Sequence, residues 1–221
     1  MQRIQKKPEP SALRRWRNQY KNDINFGYGL LQSDLREIIV TSLLEEQGEL
    51  CAYTGRRIEI NGCHIEHINP QKHCAKGEDV AYSNIVACYP APNTGEAPYG
   101  AHQKKDWPSP SERHLFISPL EKNCTERFNF TYTGHIKPTR SEDEAACKTI
   151  EQLKLDYQEL IALRRAAIQG SLQPKGEWLS LQQAQRRLKG LQAATGRLEP
   201  FSFVLMKALD NHIRKLQKPS K

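Results

Sequence analysis

Apolar residues recur at helical spacing over Leu35, Ile38, Ile39, Leu43 and Leu44. They predict a helix from Ser33 to Gln47, with Ser33 as N-cap, Asp34 in the first turn and Gly48 ending the run. Residues 63–69 and 84–89 read instead as two short strands of one antiparallel pair. A polar loop rich in Lys, Gly and Asp joins them. Pro90, Pro92, Gly95, Pro98 and Gly100 then forbid regular structure until Ala101, and a short helix through Lys105 is stopped by Pro108. Strand, long loop, strand and helix make a ββα unit.

After Pro110 the register changes. Arg127 to Thr133 alternates as a strand and turns at Gly134. Residues 142–169 predict one continuous helix, with Ile150, Leu153, Tyr157, Leu160 and Ile161 on one face. A Gly170–Gly176 linker leads to a helix from Ser180 to Thr195, capped by Gly196. Pro200 opens a last helix striped by Phe201, Val204, Leu205, Leu209, Ile213 and Leu216. The N-terminal residues 1–28 read as irregular or weakly helical, with Trp16, Tyr20, Phe26 and Tyr28 interleaved among Arg14, Arg15, Arg17 and Lys21. Such a mixture suits base stacking and phosphate pairing, and equally a protein partner. The fold class is therefore α+β. A ββα core at 48–110 is preceded by a basic, aromatic arm and helix at 1–47. It is followed at 111–221 by short strands and basic amphipathic helices suited to docking a partner.

Composition narrows the class. The 221 residues are enough for one or two domains, and the hydrophobic fraction of 38% leaves much of the chain at the surface. No apolar run reaches the length of a membrane span, and the first residues lack the apolar core of a signal peptide. A cytoplasmic protein is expected. Its six cysteines (51, 63, 74, 88, 124 and 147) read as reduced thiols or metal ligands rather than disulfides.

The net charge is +8, but its distribution matters more than its total. Residues 1–24 carry seven bases against two acids, and residues 171–221 carry ten against three, whereas 48–110 hold six against seven. Positive ends flanking a near-neutral centre suit a protein that grips polyphosphate with its ends. An ordinary soluble basic surface accounts for the same numbers.

Within the near-neutral centre, a carboxylate at the end of the first strand and a residue on the helix could hold one Mg²⁺-like ion against a scissile phosphate. Glu66 and His102 fill those positions. His67, on the opposite face of the strand from Glu66, is placed to act as general base. Asn84 would brace the loop and orient the His67 imidazole. Lys104 and Lys105 are candidate phosphate contacts, although a solvated helix end explains them equally well. Tyr53, Tyr89 and Trp107 read as packing.

Glu66-His67-Ile68-Asn69-Pro70, Asn84-Ile85-Val86 and Gly100-Ala101-His102-Gln103-Lys104-Lys105, in that order, resemble an HNH endonuclease. With Cys51-Ala52-Tyr53, Ser118-Pro119-Leu120 and Thr149-Ile150-Glu151-Gln152-Leu153, the resemblance extends over roughly residues 1–168. It points to the nuclease subunit of Septu-type and retron-associated anti-phage systems. That likeness implies Mg²⁺ or Mn²⁺ on Glu66 and His102, His67 as base and Asn84 as the middle residue of the motif. It implies an ABC/SMC-type ATPase as partner, sometimes with a reverse transcriptase and its msDNA, and DNA or host RNA such as tRNA as target.

The sequence departs from the family at two points. Many HNH proteins are braced by zinc on two Cys-x-x-Cys pairs. Here the positions three after Cys51 and Cys88 are Thr54 and Ala91, so neither pair is complete. The insertion between Cys88 and His102 also leaves Asn93 as an alternative last ligand. Two rival readings remain. One is a zinc cluster drawn from Cys63, His64, His67, His73 and Cys74. The other is a non-catalytic adaptor that binds nucleic acid or the ATPase.

Overall fold

The computed structural model describes residues 1–218, so the last three positions of the predicted C-terminal segment lie outside the described residues. The first helix, α1 (Ser11–Tyr20), buries Leu13 and Trp16 and packs on α2 (Ser33–Gln47). The arm is thereby folded onto the body of the protein. Trp16 stacks on Phe26 at 5.6 Å between ring centroids, which leaves its face unavailable to a base. Lys6 is held by Glu46 on α2 and by the Ile85 carbonyl oxygen.

Helix α2 begins at Ser33 after Gln32 and ends on left-handed Gly48, as the sequence pattern predicts to within one residue. Its last side chain serves the strands. Gln47 exchanges hydrogen bonds of 2.7 and 2.9 Å with the N–H and carbonyl of Ala87. This amide closes the outer edge of the sheet, where an unpaired strand would otherwise be open to other chains.

The sheet pairs β1 (His64–His67) with β2 (Ile85–Cys88) antiparallel, with His64 opposite Cys88 and His67 opposite Ile85. All four residues of β2 are buried, so it reads as a continuous apolar run. In β1, Ile65 and His67 are buried while His64 and Glu66 are only partly so, the two-residue alternation of a strand with one covered face. Helix α3 (Ala101–Lys104) is a single turn.

A second hairpin, β3 (Phe128–Phe130) with β4 (Ile136–Pro138), turns around Gly134. The continuous helix predicted for 142–169 is instead two helices, α4 (Glu144–Gln152) and α5 (Gln158–Leu172). The break arises because Leu153 and Leu155 are both buried, at 0% and 1% exposure, and Lys154 between them takes a positive φ of 45°. A straight helix could not point both leucines inward. The break also helps the site, because the freed Leu153 carbonyl accepts the Gly100 N–H at 2.7 Å and anchors the start of α3.

Helices α6 (Leu181–Ala193) and α7 (Ser202–Leu216) form the C-terminal layer, and a capping box of Ser180 and Gln183 starts α6. They pack on each other, and α7 also contacts α5 and β3. Helix α6 stops at Ala193 with Ala194 as its C-cap, short of the predicted end at Thr195 and cap at Gly196. Gly55 sits at φ +75°, and a Cβ there would collide with the Phe203 ring of α7. One hydrophobic core runs from Met1 to Ile213 through all three sequence regions. No described helix is long and apolar enough to cross a membrane.

Candidate active site

The two faces of β1 divide the candidate chemistry. On the inner face, His67 is 7% exposed, and the Tyr28 ring meets it edge-on at 4.8 Å. Its Nε2 lies 2.9 Å from the Asp79 carbonyl oxygen, which can only accept, so Nε2 carries the proton. The lone pair is therefore on Nδ1. Burial, partly offset by the Asp79 carbonyl and Glu66, moves the His67 pKa below its usual value, so the ring is neutral near pH 7.

Asn84 makes no hydrogen bond to the His67 ring. Its Oδ1 accepts the Asn69 N–H at 2.8 Å, and its Nδ2 donates to the carbonyl oxygens of Asn69 and Glu78. Asn84 thus ties both ends of the 69–84 loop together, and the orientation of His67 falls to the Asp79 carbonyl. The loop is itself fixed, since Asn69 and the Ala75 N–H bind the Glu78 carboxylate and Tyr28 N–H binds Asp79.

On the other face, Glu66 is surrounded by donors. Lys104 Nζ lies 3.1 Å from Oε1 and also donates to the His67 carbonyl oxygen at 2.7 Å. This corrects the expectation that Lys104 contacts phosphate. Its side chain is 1% exposed, because one turn of α3 points it inward, under the strand. Lys105 is exposed where α3 ends. Burial works against charge on Glu66, but His64 and Lys104 outweigh it and depress the pKa, so the carboxylate is ionised.

His64 belongs to this face and was assigned no part in the predicted catalytic set. Its Nδ1 lies 2.6 Å from the Pro90 carbonyl and must donate, leaving Nε2 facing Glu66 Oε2 at 3.7 Å. Two acceptors so placed require a proton or a cation between them. Burial opposes protonation of His64, but Glu66 and the Pro90 carbonyl prevail and raise its pKa. The two-residue period of a strand was the available signal, since any residue two before Glu66 shares its face.

His102 approaches the same notch, with its ring centroid 5.3 Å from that of His64. Its Nδ1 accepts the Ala97 N–H at 3.0 Å, so the proton is on Nε2. In that tautomer His102 presents an N–H donor rather than a lone pair from Nε2. The alternative, Asn93, is exposed in the 92–96 turn at φ 67°. Among the described residues, no three His, Cys, Asp or Glu side chains converge as a metal-holding group. The Cys63/His64/His67/His73/Cys74 cluster is dispersed accordingly. His67 bonds to Asp79, His73 to the Asp106 carbonyl and Cys74 to the Asn69 carbonyl.

One carboxylate oxygen and one imidazole nitrogen do fit a hard divalent ion that takes its remaining ligands from water and phosphate. The imidazole favours Mn²⁺ and later ions over Mg²⁺. The notch lacks the closed four-ligand shell of structural zinc. At the incomplete brace, Cys51 Sγ accepts the Tyr89 N–H at 3.4 Å, while Thr54 and Ala91 are buried where further cysteines would stand.

No protein-family model matches this chain. The chain is, however, distantly similar to a protein whose name marks it as a putative HNH endonuclease. The relative is a protein of Vibrio cholerae serotype O1 biovar El Tor named "Retron Vc95 putative HNH endonuclease". The two are 27% identical over 141 residues, covering 61% of this chain and 65%, just under two thirds, of the relative.

Proposed function

We propose that the chain is an HNH-type nuclease that hydrolyses nucleic-acid phosphodiesters as the effector of a retron- or Septu-type defence complex, partnered by an ABC/SMC-type ATPase. The name of the Vibrio cholerae relative supports the nuclease and retron parts of this reading. The observation that carries the chemistry is the division of β1. A neutral His67 with a free Nδ1 lies on one face, and a notch formed by His64 and the Lys104-paired carboxylate of Glu66 lies on the other.

His67 Nδ1 takes a proton from the attacking water, and the Asp79 carbonyl stabilises the imidazolium that forms. Glu66 Oε2 and His64 Nε2 are the residues that would hold a divalent ion, Mn²⁺ or Mg²⁺, whose charge would stabilise the phosphorane-like transition state and the leaving oxygen. Lys104 fixes the Glu66 carboxylate and the end of β1 in register. His102 Nε2–H donates to a non-bridging oxygen or to the leaving oxygen. Exposed Lys105 adds positive charge beside the notch.

The test is cleavage of DNA and of RNA by the purified chain, alone and with the products of neighbouring genes, in Mn²⁺ and Mg²⁺. His67→Ala should abolish cleavage while leaving complex formation intact. Full protection of cells by that variant would favour the adaptor reading instead.

A further inference from the structure

Beside the candidate active site lies a cavity of about 460 Å³, walled by Tyr28, Arg36, Val40, Asn61, His64 and Pro92. Its wall includes His64 and Ile65 of β1. We infer that this cavity is a nucleobase subsite, which receives the base next to the phosphate cleaved at His67 and Glu66. The inference rests on the hydrolase reading above for its substrate and adds where that substrate is gripped.

Three observations converge on a base. First, the Arg36 guanidinium lies 4.5 Å above the centroid of the Tyr28 ring and is held there by the backbone. Its Nε donates to the Leu31 carbonyl oxygen and its terminal nitrogen to that of Tyr28. An Arg plane locked in this way is a stacking platform that loses little side-chain entropy when a base covers it. Second, the exposed Asn61 carboxamide makes no side-chain hydrogen bond among the described residues, and an amide offers a donor and an acceptor to a base edge. Third, the cavity is continuous with the chemistry. His64 forms part of its wall, and the Tyr28 ring that supports Arg36 also packs on His67. A base stacked on Arg36 therefore brings its own phosphate to β1.

Tyr28 ties the platform to the core. Tyr28 N–H is bonded at 2.7 Å to Asp79, whose carbonyl orients His67. One residue thus couples the grip on a base to the placement of the proton acceptor. Val40 and Pro92 supply apolar walls, and a cavity of this volume lies within the range that takes a small organic ligand.

The experiment uses the full chain carrying His67→Ala, which cannot cut, with short single-stranded DNA and RNA oligonucleotides that each contain one 5-iodouracil. Irradiation and peptide mapping should place the adduct within residues 28–36, and Arg36→Ala should reduce it about tenfold. Either nucleic acid giving that adduct supports the subsite, and the arm with the stronger adduct identifies the preferred sugar. Adducts confined to the basic C-terminal helices, or none at all, would overturn it. A second measurement compares cleavage of an oligonucleotide with that of methyl p-nitrophenyl phosphate, a diester without a base. Asn61→Ala, on the surface, should raise KM for the oligonucleotide and leave the base-free diester unchanged. Equal loss on both substrates would contradict the subsite. If the unsubstituted chain cleaves neither substrate, the hydrolase reading fails, and the crosslink map still decides whether the cavity takes a base.

Discussion

Lys104 Nζ lies 3.1 Å from Glu66 Oε1, with only 1% of the lysine side chain exposed. A cation that deep is tolerated because it meets both a carboxylate and the His67 carbonyl oxygen. Removing it leaves the carboxylate in a low-dielectric site without its partner. Lys104→Met should therefore cost about 3–5 kcal/mol of stability. Adding Glu66→Gln should recover part of that loss, a coupling read from urea midpoints in a double-mutant cycle. Strictly additive losses would show that the pair is not coupled.

The acid limb of kcat/KM should fall below about pH 6.5, the ordinary histidine value. Burial lowers the His67 pKa, so the neutral base survives to lower pH than an exposed histidine would allow. The contribution of this group to stability has the same sign. A depressed histidine stabilises the fold above its unfolded pKa, and that benefit is lost as pH falls. A limb at or above the ordinary value in a pH–rate profile would assign the base to another group.

Asp143 gives a pH test away from the site. Arg127 binds it through Nε and a terminal nitrogen, each at 2.5 Å, and Asp143 also caps α4 through the Ala146 N–H at 3.0 Å. The Arg127 bond, against opposing burial, holds its pKa below the ordinary 3.8. Its stabilisation is therefore present above the unfolded value and lost as pH falls through the lower folded one. Asp143→Asn should cost about 1–3 kcal/mol at neutral pH. The two proteins should converge in stability toward pH 3. A constant gap across the acid range would contradict the assignment.

His102 separates a donor from a ligand. His102→Gln keeps an N–H donor, whereas His102→Ala does not. The alanine variant should lose about 10²-fold in kcat and the glutamine variant less. The metal concentration for half-maximal rate should stay unchanged in both. A rise in that concentration for both variants would restore His102 to the metal.

Much of the site could be read from local sequence, and what could not is long-range. The antiparallel pair, the Gly48 cap and the opposite facing of Glu66 and His67 follow from strand period and turn chemistry over a few residues. The destination of Lys104 does not, because a one-turn helix has no periodicity to show which side is buried. The tautomer of His102 depends on Ala97, and the orientation of His67 on a backbone carbonyl, and a carbonyl leaves no trace in residue identity. The helix break at 153–157 was hidden because Leu153 and Tyr157 fit a helical stripe, while Leu155 between them is buried by tertiary packing. His64 was within reach, since it shares a strand face with Glu66.

The central claim is tested most directly by comparing His67→Ala with the unsubstituted protein in Mn²⁺-dependent cleavage, with thermal melting measured in parallel. His67 lies at the end of β1 and makes one side-chain hydrogen bond, so the variant should stay folded. Loss of at least about 10²-fold in rate, with native-like melting, is the expected result. Undiminished cleavage by the folded variant would contradict the assignment of the base and, with it, the proposed mechanism.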